Sequence, residues 1–334
     1  MTGATLAQAV PLFVLAAAVL VVGGALLARA GDDLAERTGW GRLFVGMLFL
    51  ALATSLPELV TDISAVIADA PDLAVADLFG SSMANMAILA IVDLARRGRV
   101  WPSVELGQAR LASIAIALTA LAALALLTPD GPTFGWIGLD TVVIAGAYVA
   151  AVAWMRRAPT VGSRPVTPIP RPTEPVVQSV VRVWTRFGIA TAFIFASAPV
   201  VAYSARDIAD ESGLSQTFVG TALLAISTSL PELIASIAAI RIGAHDLAVG
   251  NLFGSNAANM ALLLPIDLAY TPGPLLAAID PTQLVAAVGA ILLMALALAA
   301  IVHGEETRIG RLEPDAVLLL LVYAGALVAV WSVT

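Results

Sequence analysis

Long apolar stretches, separated by short polar segments, recur along the whole chain. Each stretch is about 20 residues long, the length of helix that crosses a hydrocarbon core of about 30 Å. The stretches are rich in Ala, Gly and Val, as expected for helices that pack together in a membrane. Ten spans are predicted, centred near Val19, Ala51, Asn85, Ala117, Ala145, Phe193, Ala225, Asn259, Gly289 and Leu321.

The composition agrees with a polytopic membrane protein. Of the 334 residues, 60% are hydrophobic and only 12% are charged, and the mean hydropathy of +0.94 is too high for a soluble domain. The chain contains no cysteine, which excludes disulfides and thiolate metal sites. The net charge of −7 gives no indication of nucleic-acid binding. Residues 1–10 lack the basic segment of a cleavable signal peptide, so the first apolar stretch is predicted to stay as a helix.

The arginines predict the orientation in the membrane. If the N-terminus lies outside, all but one of the 17 basic residues fall in cytoplasmic loops, and Arg206 alone falls outside. Cytoplasmic loops carry the excess of basic residues in membrane proteins. The distribution therefore predicts a multi-pass protein of the plasma or inner membrane with both termini on the non-cytoplasmic face.

A Pro- and Arg-rich segment divides the chain into two halves of five spans each. Residues 156–180, which include Arg164-Pro-Val-Thr-Pro-Ile-Pro-Arg-Pro172, are predicted to form a semi-extended cytoplasmic linker. The linker joins a first repeat, residues 1–155, to a second, residues 181–334. An odd number of spans makes the second half start on the opposite side of the membrane. The sequence therefore predicts an all-α integral membrane protein with ten transmembrane helices in two inverted five-helix repeats, as in many secondary transporters.

One motif occurs once in each half. Ala51-Leu-Ala-Thr-Ser-Leu-Pro-Glu-Leu59 returns as Ala225-Ile-Ser-Thr-Ser-Leu-Pro-Glu-Leu233. A second block, Asp72–Met86, returns as Asp246–Met260 at the same offset of 174 residues. The shared offset indicates a duplicated unit instead of two chance matches.

Each copy of the motif places a proline in the middle of a span. Pro57 and Pro231 cannot donate to the carbonyl four residues earlier, and they crowd that carbonyl sterically, so we expect both helices to break. Unpaired backbone at membrane depth is stable only where protein covers it or where it lines a wet cavity. The breaks therefore predict a site, with free or weakly bonded carbonyls at Ala53, Thr54, Ser227 and Thr228.

Polar side chains accompany the two predicted breaks. Glu58 and Glu232 directly follow the prolines, and a carboxylate at the centre of a membrane helix costs about 2.5–3.5 kcal/mol on insertion scales. No basic residue falls inside a predicted span, so a cation or a proton must compensate these charges. Asn85 and Asn259 follow at equal spacing, with the hydroxyls of Thr54, Ser55, Ser81, Thr228, Ser229 and Ser255. An oxygen-only set without His or Cys suits hard cations such as Ca²⁺ or Na⁺ and disfavours zinc and copper.

This repeated pattern resembles the α-repeats of the sodium/calcium exchangers in the calcium/cation antiporter superfamily, of the prokaryotic type with two α-repeats. The resemblance rests on Thr-Ser-Leu-Pro-Glu-Leu followed, about 27 residues later, by Asn in a Gly-Ser-Asn-x-x-Asn-like segment in both halves. It implies that the second, third, seventh and eighth spans line the site, with Ca²⁺ between Glu58 and Glu232 and the carbonyls of Thr54 and Thr228 as further ligands. It also implies that Asn85 and Asn259 belong to the site and that Na⁺ uses Ala51, Ser55, Ser81, Ala225, Ser229 and Ser255.

The chain departs from the family pattern at a few positions near this motif. Asn259 stands where many relatives carry Asp, and Asp77 stands where the second half has Asn251. Asp62 is matched by Ser236. Asp62 lines either an ion pathway or an interfacial vestibule, and Asp77 either tunes the site or caps its helix. Because charge count helps to set ion preference, both acids are candidate modulators.

The predicted function is that of a secondary antiporter, not an enzyme, which exchanges Na⁺ for Ca²⁺ by alternating access at a midplane site. An alternative keeps the fold but uses H⁺ or K⁺ as coupling ion, or another divalent cation as substrate. An intramembrane hydrolase and a channel are favoured less by these residues. We expect the protein to interact with inorganic cations and with the lipid bilayer. We expect no cofactor, no nucleic acid and no obligate protein partner.

Overall fold

The computed structural model describes residues 6–67, 69–95, 107–157, 180–211, 228–303 and 313–333. Almost all of them are helical. In chain order the helices are α1 (Leu6–Thr38), α2 (Arg42–Ile67), α3 (Pro71–Ala95), α4 (Gly107–Leu126), α5 (Leu139–Arg157), α6 (Val180–Glu211), α7 (Leu230–Arg241), α8 (His245–Ala269), α9 (Gln283–His303) and α10 (Pro314–Val333).

Two short extended segments lie between α4 and α5. β1 (Thr133–Phe134) and β2 (Ile137–Gly138) pair as an antiparallel hairpin, with Gly135 at a φ of 66° in the turn. The buried carboxylate of Asp267, near the end of α8, accepts hydrogen bonds from Gly138 N at 2.9 Å and from Thr141 Oγ1 at 2.6 Å. These bonds hold the hairpin against α8. The same carboxylate also accepts from Leu275 N at 2.7 Å. Asp267 is therefore a structural anchor.

The predicted all-α membrane architecture is confirmed. Nine helices of the described residues are long and apolar enough to cross a membrane, and they coincide with nine of the ten predicted spans. The seventh predicted span is described only in its second half, α7, because its centre at Ala225 lies outside the described residues. The linker 156–180 also lies almost wholly outside them, so the predicted linker and repeat boundaries stay predictions.

Helix contacts between the halves come in matched pairs. α2 packs on α8 and on α6, and its equivalent α7 packs on the counterparts of these two helices, α3 and α1. Likewise α3 contacts α9 and α10, while its counterpart α8 contacts α4 and α5. This pairing is that of two similar units related by a pseudo-two-fold axis. If each unit crosses the membrane five times, as the sequence predicts, such an axis lies in the membrane plane.

The interior of the bundle is formed by α3 and α8. In their most apolar stretches 89% of α3 and 83% of α8 is buried, against 11% for α10. Polar side chains on α3 and α8 are thereby separated from lipid by surrounding helices, as membrane proteins require.

Small residues allow α8 to approach the start of α2 closely. A β-carbon added to Gly254 would lie 2.5 Å from Met47 Cα, and one added to Gly46 would lie 2.6 Å from the Leu247 carbonyl oxygen. The backbone of α2 at this contact is a π-helical turn, Gly46–Leu50. Close contact between helix backbones through glycine is a common mode of membrane helix packing. It places the polar face of α8 directly against α2.

Candidate functional site

The polar residues predicted to form the site converge where α2, α3, α7 and α8 meet. Each of the described ones is at most 2% exposed, so the site is enclosed by protein. They are Ala51, Thr54, Ser55 and Glu58 on α2, Ser81 and Asn85 on α3, Thr228, Ser229 and Glu232 at and before the start of α7, and Ser255 and Asn259 on α8. Ala225 lies outside the described residues.

Glu232 is held by one hydroxyl from each half of the chain. Its Oε1 accepts hydrogen bonds from Ser55 Oγ at 3.4 Å and from Ser255 Oγ at 3.3 Å. Its Oε2 is buried and accepts no hydrogen bond from the described residues. Glu232 therefore keeps one carboxylate oxygen available to a ligand inside the protein.

Glu58 faces Glu232 and has a comparable free oxygen. The Asn259 amide donates to Glu58 Oε2 at 3.2 Å and to the Ser255 carbonyl at 3.0 Å, in the amide orientation that satisfies its nitrogen. Glu58 Oε1 is buried and accepts no hydrogen bond from the described residues. The two carboxylates are close enough to interact electrostatically. Two like charges so placed repel each other unless a cation lies between them.

Asn85 and Asn259 have different partners although their sequence positions are equivalent. Asn85 Nδ2 donates to Asn256 Oδ1 at 2.8 Å, and Asn256 Nδ2 donates to the Ser82 carbonyl at 3.2 Å. Asn85 Oδ1 is buried without a donor among the described residues. Asn85 therefore joins the two halves through Asn256, whereas Asn259 touches a glutamate.

Two threonines make the same contact across the pseudo-two-fold axis. Thr54 Oγ1 donates to Asn251 Oδ1 at 3.3 Å, and Thr228 Oγ1 donates to Asp77 Oδ1 at 3.2 Å. Thr228 also lies 3.4 Å from Ser81, measured between the two hydroxyl oxygens. Asp77 therefore contacts a predicted site residue, and it lies in the second turn of α3, beyond the position of a helix cap.

Asn251 and Asn256 also contact the site, although the sequence did not predict them as site residues. A signal for Asn251 was present, because Asn251, Ser255 and Asn259 follow each other at intervals of four residues and so share one helix face. Asp77, Ser81 and Asn85 repeat this spacing on α3. The contact of Asn256 with Asn85 depends on how α3 crosses α8, which no local pattern encodes.

The predicted helix breaks are found in one half only. In the second half Ser229 has φ −85° and ψ 2°, and α7 begins beyond it with Pro231 in the first turn, where proline is well tolerated. In the first half the prediction is wrong, because the helix continues through Pro57. Its irregular turn lies earlier, at Gly46–Leu50, where α8 presses its glycines against α2.

The oxygen chemistry of the site suits a hard cation. Among the described residues no three acidic or histidine side chains converge on one point, so a cation here would be bound by two carboxylates together with neutral oxygens. The sequence has no arginine between Arg42 and Arg96 or between Arg206 and Arg241. Carboxylate, hydroxyl, amide and carbonyl oxygens are the ligands of Ca²⁺ and similar ions.

Sequence comparisons relate nearly the whole chain to ion exchangers. The pattern of the sodium/calcium exchanger protein family matches residues 8–155 and 182–332. The inner membrane protein YrbG of Escherichia coli is 28% identical over 306 residues, which cover 89% of this chain and 91% of YrbG. The sodium/calcium exchanger MaX1 of Methanosarcina acetivorans is 42% identical over 60 residues, which cover 18% of this chain and 17% of MaX1.

A solved structure has the same fold. The sodium-calcium exchanger NCX_Mj, soaked with Na⁺ and Sr²⁺, superposes with a TM-score of 0.74 at 22% sequence identity. The match covers 97% of this chain and 99% of NCX_Mj.

Proposed function

The chain belongs to the sodium/calcium exchanger protein family and is a cation antiporter, and we propose that it exchanges Na⁺ for Ca²⁺. The observation that carries this proposal is the pair of buried glutamates, Glu58 and Glu232, one from each half. Each has a carboxylate oxygen that accepts no hydrogen bond from the described residues. Such oxygens, enclosed together in a membrane protein, need a cation or a proton for charge compensation.

In the proposed Ca²⁺-bound state the ion lies between Glu58 and Glu232. Ca²⁺ prefers six to eight oxygen ligands in a flexible arrangement, and the carbonyls of Thr54 and Thr228 are the nearest candidates by sequence position. Asn259, which contacts Glu58, and Asn85, whose buried Oδ1 has no donor among the described residues, complete the proposed set.

In the proposed Na⁺-bound state the hydroxyls take a larger part. Ser55 and Ser255 already contact Glu232, and Ser81 lies near Glu58. Ser229 Oγ is buried without a partner among the described residues. Together with the carbonyls of Ala51 and Ala225, these groups are the proposed oxygen ligands of Na⁺.

Exchange follows from competition for the same two carboxylates. Either Ca²⁺ or several Na⁺ compensates the charge and permits the change of access, whereas the empty site keeps two repelling carboxylates. If more than two Na⁺ replace one Ca²⁺, each cycle moves net charge. The membrane potential then contributes about 2.3 kcal/mol per charge for each 100 mV.

A second candidate keeps the fold and changes the ions. Asn259 uses its amide nitrogen on Glu58, so this position supplies a donor where an Asp would supply charge. With fewer carboxylates, H⁺ or K⁺ as the coupling ion, or a different divalent cation, becomes the alternative. For both candidates we propose the plasma or inner membrane as the location, with the termini on the non-cytoplasmic face.

Ion flux in proteoliposomes tests these proposals. Vesicles loaded with Na⁺ should take up external Ca²⁺, and replacing internal Na⁺ by K⁺ or by a pH gradient should abolish the uptake. Uptake that ignores the Na⁺ gradient would contradict Na⁺ coupling and favour the second candidate.

Variants of the two glutamates test the site itself. Glu58→Gln and Glu232→Gln should each reduce exchange to background, because one carboxylate cannot balance a divalent ion. Asp130→Asn, a carboxylate change at an exposed position between α4 and α5, is the matched control and should exchange normally. Wild-type flux in both glutamate variants would remove the proposed site.

A further inference from the structure

Asp62 and Asp77 lie side by side in the first half, at the positions that Ser236 and Asn251 occupy in the second. In the second half Asn251 accepts from Thr54 and donates to Ser236 Oγ at 3.3 Å. In the first half Asp77 accepts from Thr228 and its carboxyl lies within hydrogen-bonding reach of Asp62. The same place is therefore neutral in one half and carries two carboxyl groups in the other.

The neutral pair is satisfied internally and the acidic pair is not. Asn251 supplies a donor to Ser236, but neither Asp62 nor Asp77 has a donor when ionised. Both oxygens of Asp62 and Oδ2 of Asp77 accept no hydrogen bond from the described residues, although the side chains are only 1% and 2% exposed. Buried oxygens of this kind require a ligand or an explanation.

Glu58 adds another buried carboxylate without a full set of donors next to this pair. Glu58 interacts electrostatically with Asp77, and its buried Oε1 is also without a donor among the described residues. The described acidic side chains do not converge three at a time on one point. The aspartates are therefore a pair beside the glutamates, and not part of one group of carboxylates around a single ion.

We propose that Asp62 and Asp77, with the hydroxyl of Thr228, bind a monovalent alkali cation while the central glutamates hold their ion. Only oxygen ligands are present, which suits a hard cation. A monovalent ion is favoured because a second divalent ion beside the first would face greater repulsion. The inference rests on the proposed function in one respect, namely that Ca²⁺ is taken as the central ion.

Equilibrium binding to the purified full chain tests this site. Radioactive Ca²⁺ is held at saturation and either radioactive Na⁺ or Rb⁺, as a tracer for K⁺, is titrated, so that the two arms identify the alkali cation. Wild type should bind one alkali cation per chain together with Ca²⁺. Asp62→Ser combined with Asp77→Asn copies the second-half pair and should lose that cation.

Two further variants keep the test decisive. Asp62→Asn alone changes few atoms and should also lose the alkali cation. The reciprocal variant, Ser236→Asp with Asn251→Asp, builds the acidic pair in the second half and should gain a second alkali cation. Gain in this variant cannot be produced by misfolding.

The site would be disproved by three results. The first is a wild type that binds Ca²⁺ but no alkali cation, which includes the case in which the pair holds only a proton. The second is retention of the alkali cation in both first-half variants. The third is a reciprocal variant that gains no alkali cation. Absence of Ca²⁺ binding in wild type would instead contradict the proposed function, and the alkali titration would still decide the aspartate site.

Discussion

At the scale of single residues, Asn259 is the side chain that contacts a glutamate of the candidate site through an amide group. Its amide donates to Glu58 Oε2 at 3.2 Å, so it stabilises the ionised carboxylate without adding charge. An aspartate at this position would remove the donor and place a third carboxylate beside Glu58. Carboxylate number is one of the factors that set the affinity of Ca²⁺ sites.

Asn259→Asp should therefore favour divalent over monovalent ions. We expect the apparent Ca²⁺ affinity to rise about tenfold, which corresponds to about 1.4 kcal/mol. The measurement is the external Ca²⁺ concentration for half-maximal uptake at fixed Na⁺. Asn85→Asp is the comparison at the equivalent position of the first half, where the amide bonds to Asn256 and not to a glutamate, and should give a smaller change. Equal ion preference in Asn259→Asp and wild type would show that this position does not set selectivity.

Ser55 and Ser255 offer a second test at the residue scale, since both donate to the same Glu232 oxygen. A hydrogen bond to a charged group contributes about 1.5–3 kcal/mol, but the remaining serine can partly replace its partner. Ser55→Ala and Ser255→Ala should each weaken Na⁺ activation several-fold, and the double variant should weaken it more than the two single effects combined. The half-saturating Na⁺ concentration is the readout.

Ser113→Ala is the control for this series. Ser113 is bonded to the Ala109 carbonyl on the outer side of α4, away from the glutamates. Strictly additive effects of the two serine changes would argue that the hydroxyls do not share one carboxylate oxygen in the Na⁺-bound protein.

At the scale of elements, the contact between α2 and α8 positions the site. Gly254 immediately precedes Ser255, and a β-carbon at Gly254 would meet the Met47 backbone at 2.5 Å. Backbone atoms cannot move aside as a flexible side chain can. The two helices would have to separate, and Ser255 and Asn259 would move away from the glutamates.

Gly254→Ala should therefore lower both thermal stability and exchange. We expect a loss of about 1–3 kcal/mol, the usual range for overpacking, together with strongly reduced flux. The readouts are the unfolding temperature in detergent and Ca²⁺ uptake. Gly146→Ala is the control, because Gly146 lies in α5 with nothing within 4 Å of the added carbon. An equal unfolding temperature for Gly254→Ala and wild type would contradict the close packing.

The contact between α2 and α8 also explains why the sequence could not predict where each helix is irregular. Pro57 and Pro231 are equivalent in sequence, yet only the second lies at a helix start. The first remains inside α2. The position of an irregular turn depends on which helix presses against it, and that information is not in the local motif.

At the scale of the whole molecule, span number and the repeated motif were enough to predict the architecture. The fixed offset between Glu58 and Glu232 predicted that residues from both halves meet, and Ser55 does contact Glu232. Contacts such as that of Asn85 with Asn256, or the adjacency of Asp62 and Asp77, arise from helix crossing. They required the three-dimensional structure, because sequence spacing specifies a helix face but not its partner.

Inversion of the two halves makes a prediction that involves the entire chain. Asp130 lies just beyond α4 and His303 is the last residue of α9, the fourth helices of the two halves, and both residues are exposed. If the repeats are inverted, these equivalent ends lie on opposite sides of the membrane. Because the natural chain has no cysteine, a single introduced thiol reports its own position without background.

Asp130→Cys should react with a membrane-impermeant maleimide in intact cells, whereas His303→Cys should react only after the membrane is permeabilised. The sidedness follows from the arginines, since the segment after α9 contains Arg308 and Arg311 and basic loops stay in the cytoplasm. Wild type supplies the unlabelled control. Labelling of both cysteines from one side would contradict inversion, and labelling with the sides exchanged would keep the inverted fold but reverse its orientation.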